Sequence, residues 1–235
     1  MTSEASIQIM SQLQGSSIQH QVDGAIEGLL GSFPNPEQLS ASQRRGIIAR
    51  YSSVLEGNFI YWMTATYLSV RSEEARSKIL DNLREEVRDC HPGMLRRFAM
   101  AANAVPTDSD ALDVYRDLTN VRLFLSRLSG VQSVLMMAFF EGFIQRFMAY
   151  LAELAVLQGS AELEYTDVHG VCDVTHTEEL FRALTAEMAL NPPEPSTDLL
   201  EGVELLSTLL GRIVHLAGTK ADLPGYTRFP SNLLI

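Results

Sequence analysis

Residues 131–157 read VQSVLMMAFFEGFIQRFMAYLAELAVL, and how that run is disposed decides the fold. It is long enough to cross a bilayer as a helix. Glu141, Gln145, Arg146 and Glu153 interrupt it, however, and each would be costly in hydrocarbon. A helix that is apolar nearly all round, with a few polar residues, suits the centre of a soluble bundle. The segments on either side are the walls such a helix needs.

Nearly every flanking segment repeats its apolar residues at helical spacing, and none alternates as a strand would. Before the central run, helices are expected over 4–31, 41–70, from Ser72 to the DCHPG break, 94–104 and 108–129. After it come 161–190 and 197–218, followed by an irregular tail from Lys220. Ser40 and Ser72 stand where N-caps belong, and GSFPNPEQLS, VPTDSD and NPPEPSTD supply turns. The 235 residues therefore predict one all-α domain, 1–235, of about seven to eight helices.

The chain is 46% hydrophobic and 20% charged, with a formal net charge of −11. That acidity argues against nucleic acid or an anionic membrane as partner. Two cysteines, Cys90 and Cys172, stand far apart, which fits neither a disulfide framework nor a structural zinc site. The amino-terminal MTSEASIQIMSQLQ lacks the basic start and apolar stretch of a signal peptide. A reducing cytoplasm is the expected location.

Glu141 sits among Phe139, Phe140 and Phe143, and a buried carboxylate needs a partner. Arg146 at i+5 is poorly placed to supply one. A metal would, and the segment DVHGVCDVTH offers further ligands. His169, Asp173 and His176 fall at i, i+4 and i+7, on one helix face. Two imidazoles and a carboxylate are ligands of first-row metals, although a polar helix face can carry the same residues. A third contribution is NLREEVRDCHPGM, with Glu85 or Glu86 near a helix end and His91 at the break. Six ligands exceed what one catalytic metal with an open position takes, and they suit two metals about 3.5 to 4 Å apart. Imidazole with carboxylate favours iron or manganese. The symmetric ferritin-like pattern is excluded, because no Glu-x-x-His occurs.

With those residues in order, the chain resembles the haem-oxygenase-like di-iron oxidases. Their ligands run Glu, His, Glu, then His-x-x-x-Asp-x-x-His. Carried over, they are Glu86, His91, Glu141, His169, Asp173 and His176, and the NL preceding REE favours Glu86 over Glu85. The resemblance covers residues 40–220 and implies a haem-oxygenase-like bundle, two Fe(II) ions and O2 as co-substrate. Only four residues separate Glu86 from His91, fewer than in many members, so the geometry there is the point to watch.

The resemblance also implies a small-molecule substrate. Relatives act on free amino acids or decarboxylate fatty acids. Runs such as EGNFIYWMTATYLSV look closest to the isoleucine desaturases that close an azetidine ring in antibiotic biosynthesis. Glu56, Tyr61, Trp62, Thr66, Met137, Phe140 and Ile144 are candidates for the substrate cavity. Arg84, Arg146 or Arg212 would clamp a carboxylate, and Glu56 or Asp167 an amine. The alternatives are a fatty-acid oxidative decarboxylase on the same site, a thiaminase-like hydrolase, and a non-catalytic helical binding module. The hydrolase would want a nucleophile, for which Cys172 lies about 100° off the ligand face. A homodimer through the first helices is a further expectation.

Overall fold

A computed structural model describes residues 2–215, with side chains from residue 17 onward. Among the described residues, nine α-helices and one 3-10 turn follow in order: α1 (Thr2–Gly31), the turn Pro36–Gln38, α2 (Ala41–Leu55), α3 (Asn58–Ser69), α4 (Glu73–Arg88), α5 (His91–Ala101), α6 (Asp108–Leu125), α7 (Gly130–Leu157), α8 (Glu164–Leu190) and α9 (Glu201–Val214). No strand occurs among the described residues. The architecture is the expected all-α bundle. The irregular tail expected after Lys220 lies outside the described residues.

Local chemistry sets most of the boundaries. Ser40 Oγ accepts from Gln43 N at 3.3 Å, while Gln43 Oε1 accepts from Ser40 N at 2.8 Å. That is a reciprocal capping box. Thr107 and Asp110 close a second one at the start of α6. Ser72 caps α4, whose first turn carries Glu73 and Glu74 against the positive end of the helix dipole.

Boundaries differ from the sequence reading in several places, α6 for instance ending at Leu125 rather than 129 and α8 starting at Glu164 rather than 161. Residues 41–70 form two helices, because the chain breaks at Glu56–Gly57, and this adds one helix to the expected count. Gly57 has φ 81°, a left-handed conformation that costs glycine little. α5 begins at His91 rather than Met94. Pro92 sits in its first turn, where a missing N–H breaks no helical bond, so it starts the helix instead of stopping one. α9 starts at Glu201 rather than 197.

α7 is the axis, with α1, α2, α3, α8 and α9 all packed on it. It is long and apolar enough to cross a membrane, but 78% of its most apolar window is buried inside the bundle. Phe139, Phe143 and Phe147 stack along one side, and Trp62 meets Phe140 edge-on at 5.4 Å. Burying each such ring stabilises the fold by about 1.5–3 kcal/mol. One tie bears directly on the site. The fully buried Glu187 of α8 accepts the backbone N–H groups of Arg71 and Ser72 at 2.9 and 2.8 Å. A side chain of one helix thus satisfies the free donors at the start of another, which fixes α4 against α8.

Candidate metal centre

Four helices converge beside the central phenylalanines. α4 brings Glu86, α5 brings His91, α7 brings Glu141, and α8 brings His169, Asp173 and His176. All six side chains are buried. On α8 the three fall on the inner face, as their spacing predicts. The short Glu86–His91 interval is taken up by the α4–α5 turn, where Cys90 adopts a left-handed φ of 57° and sends the chain back. His91 Nδ1 thereby lies 2.7 Å from Glu86 Oε1.

The six fall into two neighbouring groups. Ligand atoms of Glu86, His91 and His169 lie within 4.8 Å of one another, with Glu86 Oε1 3.9 Å from His169 Nε2. Two turns further along α8 from His169, His176 Nδ1 stands 3.6 Å from Asp173 Oδ1 and 3.9 Å from Glu141 Oε2. Hydrogen bonds from behind orient several of these groups. His169 Nδ1 lies 2.7 Å from its own helix's Tyr165 carbonyl, the only role open to it there being donor. That leaves His169 Nε2 toward Glu86. Asn82 Nδ2 donates to Glu141 Oε1 at 2.8 Å.

The electrostatics are those of a cluster short of positive charge. Burial, then Asp173, holds the Glu141 carboxyl well above its ordinary value. Burial pulls the imidazole of His176 down, but Asp173, Glu141 and Glu85 outweigh it and push His176 up to about 10. His91 is likewise raised, the bond to Glu86 overcoming burial. Even so, Asp173 Oδ2 and His176 Nδ1 are buried without any hydrogen-bond partner. An orphaned buried polar atom costs about 1–3 kcal/mol. Two of them, facing a set of nitrogen and oxygen donors, fit a bound first-row cation.

Beside the cluster is a cavity of about 30 Å³, lined by Leu55, Phe59, Ile60, Pro92, Leu95, Phe140, Ile144 and Tyr165, with Glu86, His91, Glu141, His169 and Asp173 at its polar end. Of the expected cavity residues, Phe140 and Ile144 are in this wall. Trp62 lies behind Phe140, and Met137 and Thr66 are core. Two expectations are corrected. Tyr61 is 44% exposed, and Glu56, at the α2–α3 break, pairs with Arg96 at the surface. The break that carries Glu56 outward turns Leu55, Phe59 and Ile60 inward. The proposed carboxylate clamps are corrected too: Arg84 pairs with Asp81, Arg146 with Asp23, and Arg212 with Asp117. Asp167 is exposed.

Sequence reasoning missed Asn82 and a buried tyrosine pair, Tyr51 and Tyr165, whose hydroxyls lie 2.7 Å apart. It also missed that Cys172 is not incidental. Its Sγ donates to Asp173 Oδ1 at 3.1 Å. Burial and the neighbouring Asp173 push that thiol far up, so it is no nucleophile. The cue for Asn82 was available: at i and i+4 it shares a face with Glu86.

No curated protein and no solved structure matches the chain. A family model described as iron-containing redox enzyme, of haem-oxygenase type, matches residues 49–211. That span runs from within α2 into α9 and holds all six clustered side chains, the cavity wall and the residues behind them. With most of the chain matched and the donor cluster inside the match, the protein is an oxidoreductase belonging to the haem-oxygenase-like family of iron-containing redox enzymes.

Proposed function

We propose that the protein is a non-haem di-iron oxidase that uses O2 to break a C–H bond of a small aliphatic substrate, a free amino acid of the isoleucine type being the first choice. The observation that carries this reading is the pair of partnerless buried atoms, Asp173 Oδ2 and His176 Nδ1, in a six-residue nitrogen and oxygen cluster beside an apolar cavity. Glu86, His91 and His169 would hold one iron, and Glu141, Asp173 and His176 the other. Bound there, the irons would supply the activation of O2.

The chain's own residues do the rest. Leu55, Phe59, Ile60, Leu95, Phe140 and Ile144 take the aliphatic body and keep water from the reacting carbon. No Arg or Lys lines the cavity, so a substrate carboxylate finds positive charge only at the metals. Desaturation removes two hydrogen atoms from the substrate. Reducing O2 to two waters takes four electrons, so the other two come from an external reductant. Azetidine closure is the further step that the resemblance implies. The two free cysteines and the acidic balance support a reducing cytoplasm and a partner that is a small molecule.

Anaerobic Fe(II) titration followed by stopped-flow mixing with O2 tests the proposal, using aliphatic amino acids and fatty acids as substrates. Two irons per chain, with a transient visible absorption elicited by amino acids, is the expected result. A transient elicited by fatty acids alone moves the substrate to the alternative class. Folded protein that takes up no iron overturns the site.

A further inference from the structure

His176 has two ring nitrogens, and they face different surroundings. Nε2 lies 3.0 Å from Glu85 Oε2. Nδ1 points the other way, to Asp173 and Glu141, and has no hydrogen-bond partner. His169 is arranged in the opposite sense, with Nδ1 taken by the Tyr165 carbonyl and Nε2 toward Glu86. A histidine that ligates a metal commonly donates its other N–H to a carboxylate or carbonyl, which fixes its orientation and raises its basicity. Each histidine here already has that outer partner, on opposite nitrogens.

Glu85 and Glu86 are neighbours on α4 and project about 100° apart. Glu86 enters the cluster beside His91 and is buried. The Glu85 side chain stays 43% exposed and reaches His176 from outside the cluster. We infer that Glu85 is a positioning residue: it accepts the Nε2–H of His176 and thereby presents His176 Nδ1, rather than Nε2, to the second metal. The inference rests on the di-iron reading and deepens it, because it names the ligating atom and the residue that selects it. One turn of α4 then serves both subsites, the first through Glu86 and the second through Glu85. The adjacent acids are not interchangeable.

The test uses the full chain labelled with ¹⁵N and loaded with Zn(II), a diamagnetic stand-in. A long-range ¹H–¹⁵N correlation spectrum should show His176 protonated at Nε2 and metal-shifted at Nδ1, with His169 the reverse. Metal titration of Glu85→Ala should show two sites, one weakened about 10- to 100-fold. Glu85→Gln keeps an oxygen that can accept the N–H, and it should restore most of that affinity. Zinc on His176 Nε2 overturns the inference. So does Glu85→Gln behaving as badly as Glu85→Ala, since that marks a ligating carboxylate, and so does unchanged affinity in both variants. Wild-type protein that is folded and binds no metal overturns the di-iron reading along with it. Two metals in the wild type with any of the other failures overturns the role of Glu85 alone.

Discussion

The paired hydroxyls of Tyr51 and Tyr165 lend themselves to a double-mutant cycle whose outcome the geometry dictates. They lie 2.7 Å apart, Tyr51 wholly buried and Tyr165 4% exposed. Tyr165→Phe strands the Tyr51 hydroxyl, which is fully buried and whose hydrogen bond is to Tyr165. Leaving a buried polar group unpaired costs about 1–3 kcal/mol, and this site belongs at the upper end, near 2–3. Tyr51→Phe strands the Tyr165 hydroxyl instead. Tyr165 lines the cavity, where a water can replace the lost partner, so that cost should be about 1 kcal/mol. Removing both hydroxyls leaves two apolar rings packed as before and should be close to neutral. The cycle should therefore show strong coupling, about 3–4 kcal/mol in favour of the pair. The assay is equilibrium unfolding of metal-free protein in urea, with a chelator present. For a chain of this size each kcal/mol moves Tm by about 2–4 °C, so the three variants are separable by heat as well. Costs that simply add would refute the reasoning, because the hydroxyls would then have partners other than each other.

Asn82→Leu removes the donor that holds Glu141 Oε1. It should weaken one of two Mn(II) sites by about tenfold or more, read by EPR titration, and an unchanged affinity would count against it. Loading the site should also expel protons. In metal-free protein, burial beside Asp173 keeps Glu141 above its ordinary value, and His176, with its acidic neighbours outweighing burial, stays protonated to about 10. A metal must displace those protons, so affinity falls as pH drops and rises as pH climbs toward 10. Calorimetry in two buffers of different ionisation enthalpy measures the release, and a heat independent of buffer sinks the idea. Gly202→Ala drives a methyl to 2.6 Å from the Phe124 ring and 3.1 Å from Met136 Cβ. Such overpacking should destabilise by about 1–3 kcal/mol, and a wild-type melting temperature would show that α9 moves aside freely.

The sequence was most legible where one helix carries the information. His169, Asp173 and His176 follow from helical period alone, and Glu141 from the oddity of an acid among phenylalanines. The helix boundaries with strong caps, at Ser40 and Ser72, were readable for the same local reason. What failed was the sense of a turn. Gly57 could have sat quietly in a helix, and Pro92 could have ended one as well as begun one, and only packing decides between those outcomes. Contacts between distant helices were less legible still. Nothing in the order of residues says that Asn82 meets Glu141, that Tyr51 meets Tyr165, or that Arg146 and Arg212 find Asp23 and Asp117 on other helices, whereas the pair Arg84–Asp81, three apart on α4, was readable from helical spacing. Glu85 shows the limit most plainly. It was weighed against Glu86 as a rival for one role, whereas the fold gives the two acids different neighbours.

Cys172 sits in a hazardous place for sulfur, with its thiol donating to Asp173 inside a cluster suited to oxygen chemistry. Peroxide attacks the thiolate, not the thiol, and the first product is a sulfenic acid. In metal-free protein, burial and then the facing carboxylates of Asp173, Glu141 and Glu86 hold that thiol far above its ordinary value and keep the proton on sulfur. The same negative charge that would attract a cation therefore also makes the nearest sulfur hard to oxidise. That protection belongs to the metal-free protein: a cation held by Asp173 and His176 would offset the carboxylates and draw the neighbouring thiol back toward the reactive thiolate.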